Sequence, residues 1–98
     1  MNFKFHGVDF RYIRSNKLKN LGYCKNPKTP TKDKRIISVS SKLEGKKELE
    51  INIHEFLHAC GWFADEEWIV DSAKDIAEAL WELGYRKTNE SEKTEKGN

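Results

Sequence analysis

The spacing of the hydrophobic residues changes near Lys46, and this change limits the possible folds more than any other feature of the sequence. Before Lys46, apolar residues alternate with polar ones in two runs, one at Phe3 and Phe5 and one from Val8 to Tyr12. After Lys46, apolar residues recur every three or four positions. A period of two is typical of strands and a period near 3.6 is typical of helices. The sequence therefore predicts a sheet-forming half followed by a helical half.

The first half predicts three strands. Residues 3–14 are expected to form a hairpin that turns at His6 and Gly7, with one face buried. The segment 35–40 is short and rich in β-branched residues, which predicts a third strand. Residues 15–34 are polar and contain Gly22 and two prolines, which predicts a loop. We expect a three-stranded antiparallel sheet.

The second half predicts two helices. The first is expected to run from Lys46 to a stop near Gly61, and the second from an N-cap at Asp65 to Gly84. The fold class is therefore α+β, with one domain over residues 1–86. Residues 87–98 contain no apolar side chain, which predicts a disordered polar tail.

Composition excludes several classes of protein. Mean hydropathy is −0.84, and no apolar run approaches the roughly 18–20 residues of a membrane helix. The first residues show no signal-peptide pattern, and two cysteines are too few for a secreted disulfide framework. We expect a cytoplasmic protein without membrane contact.

The net charge of +2 conceals an uneven distribution. Residues 1–47 hold thirteen Lys and Arg and three Asp and Glu, a balance of +10, whereas residues 48–86 have a balance of −8. A basic half favours solubility first, and an acidic protein or nucleic-acid partner second. Nucleic-acid binding through residues 1–47 is the less favoured interpretation, because no aromatic-basic motif accompanies the charge.

The predicted first helix contains the sequence His54-Glu55-Phe56-Leu57-His58. Histidines four residues apart on a helix project side by side, so both imidazoles can bind one metal ion. Glu55 can lie beside that ion without binding it and accept a proton from a water molecule there. Zn²⁺ suits this chemistry because it binds imidazole and keeps an open coordination position.

The helical phase separates the histidines from the predicted core face. At 100° per residue, the apolar side chains cluster within about 60°: Leu49, Ile53, Phe56 and Cys60. His54 and His58 lie at roughly 140° and 180° from the start of that cluster. The sequence therefore predicts that both histidines lie outside the core and that Cys60 lies within it. A structural zinc site that combines Cys24 and Cys60 with the histidines is a minor alternative, since it leaves Glu55 unexplained.

A catalytic zinc site needs a third protein ligand, and the second helix offers two candidates. Glu66 lies about 60° from Ile69 in the buried stripe of that helix, and Glu67 points about 160° away. Phase therefore favours Glu66. Glu67 remains the alternative because Asp71 follows it four residues later, the spacing of a ligand Glu and its supporting Asp in thermolysin-like enzymes. A histidine ligand three residues after Gly61, as metzincins have, is excluded because that position is alanine.

These motifs together resemble a known class of proteins. The segment from Leu49 to Arg86, with HEFLHA, DEEW and AEALWELGYR, resembles the small HExxH metallopeptidase-like proteins of bacteriophages. More distantly, it is similar to the zincin domains of phage-repressor-cleaving and SprT-type peptidases. The resemblance implies a minimal zincin fold and a zinc-dependent peptidase that acts on peptides or proteins. It also implies that His54 and His58 bind zinc, that Glu55 is the general base, and that a second-helix Glu is the third ligand.

A non-enzymatic alternative also fits the sequence. In that case the zinc ion is structural, and the basic residues 1–47 hold an acidic protein or nucleic acid. The two hypotheses differ at Glu55, which an enzyme requires and a structural zinc site does not.

Overall fold

The chain has an α+β fold in which one helix lies on a sheet and the second helix lies on the first. The structure is a computed structural model that describes residues 1–88. Its elements are β1 (Asn2–Phe5), β2 (Val8–Ser15), β3 (Gly22–Cys24), β4 (Ile36–Ser40), α1 (Gly45–Cys60) and α2 (Glu66–Glu82), with a short 3-10 turn at Lys32–Lys34. The prediction of the α+β class with two helices is confirmed.

The sheet has four strands in the order β1-β2-β4-β3. Strands β1 and β2 are antiparallel, β2 and β4 are parallel, and β4 and β3 are antiparallel. The prediction of a three-stranded antiparallel sheet is therefore wrong in strand number and in one pairing. The connection between β2 and β4 is long enough for a crossover to a parallel neighbour. Part of this connection, predicted as a loop, forms β3 on the outer side of β4.

The β1–β2 hairpin turns where the sequence predicts. Phe5 pairs with Val8, so the connection has two residues. Both have positive φ, 50° at His6 and 77° at Gly7. Two-residue hairpins with positive φ at both positions match the twist of the strands that they join.

The core lies between the sheet and α1. Phe10, Ile37 and Val39 of the sheet cluster with Ile51 and Ala59 of α1. A second group of side chains, all aromatic, surrounds Phe56 at the β1 side: Phe3, Phe5 and Tyr12. Aromatic side chains bury large areas, which is how so short a chain obtains a core.

The predicted core face of α1 is only partly correct. Ile51 is buried against the sheet although it lies outside the predicted apolar cluster, and Cys60, a member of that cluster, is exposed. The physical reason is that α1 packs against the sheet and against α2, so its buried arc is wider than one stripe. The apolar stripe of a helix predicts one packed face, and it cannot show that the helix packs against two different elements.

Helix α2 begins and ends close to the predicted residues. The Asp65 carboxylate accepts a hydrogen bond from the Trp68 N–H at 3.2 Å, as expected for an N-cap. Gly84 has a φ of 96° just after the helix, a conformation that glycine adopts without strain. Ile69, Ala73 and Ala77 are buried.

The described residues end within the predicted polar tail. Lys87 and Thr88 have no regular secondary structure, and residues 89–98 of that tail lie outside the described residues. Within residues 1–88, neither helix combines the length and the apolar character needed to cross a membrane.

Strand β3 passes so close to α1 that one residue must be glycine. A Cβ atom added to Gly22 would lie 2.9 Å from the Ser38 carbonyl oxygen, 3.2 Å from Glu55 Oε2 and 3.3 Å from Ile51 Cγ2. The first neighbour is backbone and cannot rotate away. The missing side chain therefore lets β3 approach both its partner strand and α1.

We predict that Gly22→Ala destabilises the protein by about 1–3 kcal/mol, because overpacking displaces backbone. Alanine otherwise suits a strand better than glycine does. Gly61→Ala is the matched control, since its nearest neighbour, Ala64 Cβ, is at an ordinary 3.7 Å. Urea unfolding of both variants measures the difference, and equal free energies of unfolding would contradict the prediction.

Candidate metal centre

His54 and His58 lie side by side on α1, as their spacing predicts. Their ring centroids are 4.9 Å apart, and each side chain is about one-fifth exposed. Both Nε2 atoms face the carboxylate of Glu66 at the start of α2. Successive turns of α1 thus present two imidazole nitrogens at one point on its surface.

Glu66 reaches the histidines because α2 begins directly above them. The Asp65 cap sets the first turn of α2, and Glu66 is the first residue of the helix. Its Oε2 lies 3.4 Å from His54 Nε2, and its Oε1 lies 3.0 Å from His58 Nε2. An exposed carboxylate in this position forms a third donor beside the two nitrogens.

The three donors are spaced as metal ligands are. The ligand atoms of His54, His58 and Glu66 all lie within 4.8 Å of one another. Two ligands of tetrahedral zinc, each about 2.1 Å from the ion, are roughly 3.4 Å apart, close to both measured N–O distances. Two imidazoles and one carboxylate are also a known ligand set of catalytic zinc, with a fourth position for water or substrate. The residues present therefore fit a zinc ion.

Glu55 is buried next to these ligands. It is 5% exposed, and it lies on the α1 face that packs against the sheet. Burial and then the nearby negative charge of Glu66 raise the pKa of the Glu55 carboxyl to about 7. Within residues 1–88, neither cause is a hydrogen bond to the Glu55 carboxylate. Such a bond would stabilise the charged form and lower the pKa. A carboxyl with a pKa near neutrality in a cleft is typical of an acid–base group.

The pKa of His54 moves in the direction that favours metal binding. Burial lowers its pKa, the Glu66 carboxylate opposes this effect, and neighbouring His58 adds to it. A lowered pKa keeps the imidazole neutral at neutral pH, and only the neutral ring binds a metal.

A cleft of about 280 Å³ joins these groups. One wall is strand β3, and the other is formed by α1 and the start of α2. The lining residues are Gly22, Tyr23, Cys24, His54, Glu55, His58, Trp62 and Glu66. The donor set and the buried carboxyl therefore line the same cleft.

The other sequence candidates stand apart from this cluster. Among residues 1–88, the group that could hold a metal contains neither Glu67 nor a cysteine. Cys24 lines the cleft, and burial is the main cause that raises the pKa of its thiol to about 12.

Sequence reasoning missed the β3 wall of the cleft. Gly22, Tyr23 and Cys24 reach the site through pairing with β4, at Val39, Ser38 and Ile37. A three-residue strand is too short to show alternation. The glycine between Leu21 and Tyr23 is the one signal in this segment, since an isolated glycine in a strand often marks a close backbone approach.

Comparisons with known proteins identify no family for this chain. No protein-family profile, curated protein or solved structure matches the chain. The chemistry of the site therefore has to be derived from its own residues and distances.

We predict that Glu66→Gln weakens zinc binding at least tenfold, whereas Glu67→Gln changes it less than twofold. The reason is that Glu66 alone of the two has an oxygen among the ligand atoms, and an amide is a poorer ligand than a carboxylate. Competition with a zinc-sensitive dye measures both affinities. Equal affinities would contradict the geometry, and the reverse order would favour Glu67 with Asp71.

We also predict a pH-dependent effect of Glu55→Gln on the metal-free protein. The folded pKa of Glu55, about 7, lies above its ordinary value of 4.5. Between these pH values the native state holds more protons than the unfolded state, so the free energy of unfolding falls as pH rises. The variant lacks this effect and should be more stable than wild type above pH 7 by about 2–3 kcal/mol.

The stability difference between the two proteins should disappear below pH 4.5, where Glu55 is protonated in both states. His54 has the opposite pH dependence, because its pKa is lowered, but it is present in both proteins and cancels in the difference. Urea unfolding from pH 4 to pH 8 in the presence of a chelator provides the measurement. A difference independent of pH would show that Glu55 titrates normally.

Proposed function

We propose that this protein is a zinc-dependent peptidase with a minimal zincin-like domain. His54, His58 and Glu66 would hold the zinc ion, and Glu55 would be the general base. The observation that carries the proposal is that Glu55, 5% exposed and with a pKa raised to about 7, opens into the same cleft as the His/His/Glu cluster. A structural metal site does not require a buried carboxyl that lies next to the ligands without binding the ion.

When bound, zinc polarises a substrate carbonyl and lowers the pKa of a water molecule. The chain supplies the proton transfers. Glu55 accepts a proton from the attacking water on a carboxylate oxygen and then donates it to the leaving amine. A nearby cation favours the ionised carboxylate, which opposes the effect of burial and keeps Glu55 able to accept a proton at neutral pH.

Strand β3 supports binding of an extended peptide. Strand β4 lies between β2 and β3, so β3 is the strand at this edge of the sheet. The Leu21 carbonyl and the Lys25 N–H bond to β4. In an antiparallel pair the intervening residues 22 and 24 direct their backbone groups outward. These groups could pair with a substrate strand in the cleft.

We predict that Glu55→Gln abolishes peptide hydrolysis while it preserves zinc content. The substitution removes the proton acceptor and keeps the size of the side chain, and loss of a general base typically costs about 10²–10⁴-fold in rate. The assay is cleavage of casein and of a broad peptide library by zinc-loaded protein. Elemental analysis of each preparation for zinc, iron and manganese identifies the metal, since the same ligand types also bind the other two.

His58→Ala is the companion variant, because it should lose both metal and activity. Cleavage by Glu55→Gln at the wild-type rate would exclude Glu55 as the base. Wild-type protein that binds one zinc ion and cleaves nothing would exclude the peptidase. The alternative, a zinc-stabilised module that uses the basic residues 1–47 to bind an acidic partner, would then replace it.

A further inference from the structure

The segment that contains β3 is basic. Residues 10–32 contain seven Lys and Arg and no Asp or Glu, and two of these lysines, Lys25 and Lys28, follow β3 directly in the chain. Lys28 extends from the loop after β3 to the connection between the helices, where its Nζ lies 6.0 Å from the Phe63 ring centroid. Phe63 is 84% exposed. A basic and an aromatic side chain thus lie close together, next in sequence to Trp62, which lines the cleft.

The two faces of β3 differ in character. A side chain at Gly22 would point toward Glu55 and Ile51 of α1, and Cys24 packs against the core on the same face. By alternation, Tyr23 and Lys25 lie on the opposite face, where Lys25 Nζ is 5.6 Å from the Tyr23 ring centroid. A peptide paired with β3 would therefore have every second side chain beside Tyr23 and Lys25. Its other side chains would point into the cleft beside Trp62.

We propose that the cleft selects an extended acidic segment, with acidic side chains on the Lys25 face of β3 and apolar side chains directed toward Trp62, while Lys28 adds positive charge beside Phe63. This proposal rests on the proposed function for the location of the substrate, and it adds the class of substrate. Opposite charges on neighbouring strands attract, and like charges disfavour pairing. The rim charges would also accelerate association with an acidic substrate.

The acidic residues of α2 do not oppose this selection. The Asp65 carboxylate accepts from the Trp68 N–H, so the positive end of the α2 dipole offsets part of its negative charge. The Glu66 carboxylate faces the two histidines, where a metal ion would neutralise it. Glu67 lies about 160° from the buried stripe and so points away from the cleft. Glu55 also lies in the cleft, with Oε2 3.2 Å from a Cβ placed at Gly22, but on the face of β3 opposite Lys25.

The test measures binding separately from cleavage. Zinc-loaded Glu55→Gln protein is titrated into three fluorescein-labelled ten-residue peptides of alternating polar and apolar residues, in which the polar residue is Glu, Gln or Lys. Anisotropy should give the tightest binding for the Glu peptide, by about tenfold over the Lys peptide, with a difference that shrinks as salt increases. Adding Lys25→Glu and Lys28→Glu together should reverse the order.

The matched control is the double variant Lys34→Glu and Lys42→Glu, which changes net charge equally at two exposed lysines that do not border the cleft. It should keep the order of the three peptides. Equal affinities for all peptides, or equal loss in the control, would overturn the proposal. Tighter binding of a twenty-nucleotide oligothymidine that depends on Lys25 and Lys28 would also overturn it and assign the surface to nucleic acid.

Failure of the peptidase is distinguishable from failure of this proposal. If wild-type protein binds the Glu peptide in preference and leaves it intact, the substrate class stands as a binding specificity and the hydrolytic function fails. If the protein cleaves Glu and Lys peptides equally, the function stands and the acidic selection fails.

Discussion

The packing of α1 against the sheet determines the position of every group in the candidate site. Ile51 and Ala59 meet Phe10, Ile37 and Val39 in the core, and these two helix residues are eight positions apart on one face. Glu55 lies midway between them, so the same packing that forms the core also buries the carboxyl.

The two histidines are positioned by the same face of α1. His54 precedes Glu55 and His58 precedes Ala59, so each histidine lies about 100° around the helix from that face, at the cleft. A small rotation of α1 would cost core contacts and misplace all three groups together.

The same face of α1 carries a second buried acid, and the comparison is informative. Glu48 accepts a hydrogen bond from Arg14 at 2.6 Å, and Arg14 also donates to the carbonyls of Ser40 and Leu43. That pair joins β2 to α1, and Lys87 also donates to the same Glu48 oxygen at 3.2 Å. Burial and the repulsion of Glu66, with no hydrogen bond, account for the raised pKa of Glu55. Glu48 therefore has an ion-pair partner, whereas within residues 1–88 no hydrogen bond affects the pKa of Glu55.

The errors in the sequence-based prediction have a common origin in nonlocal pairing. Strand β3 exists because Gly22–Cys24 finds β4, and the parallel β2–β4 pair joins segments more than twenty residues apart. No local sequence pattern predicts either contact. A three-residue strand is too short to show alternation, and a crossover connection has no characteristic residue spacing. The apolar stripe of α1 predicts a buried Cys60, but Cys60 is the last residue of the helix and is exposed.

The sequence by itself determined the local features: the two-residue turn at His6 and Gly7, the Asp65 cap, the two helices, and the adjacency of His54 and His58. Each depends on backbone preferences or on helical geometry within a few residues. Only the tertiary structure decided that Glu66 faces the histidines, that Glu55 is buried, and that β3 forms the wall of the cleft. These features depend on how separate elements pack, because burial and the distance between donors are properties of the assembled core and not of any single segment.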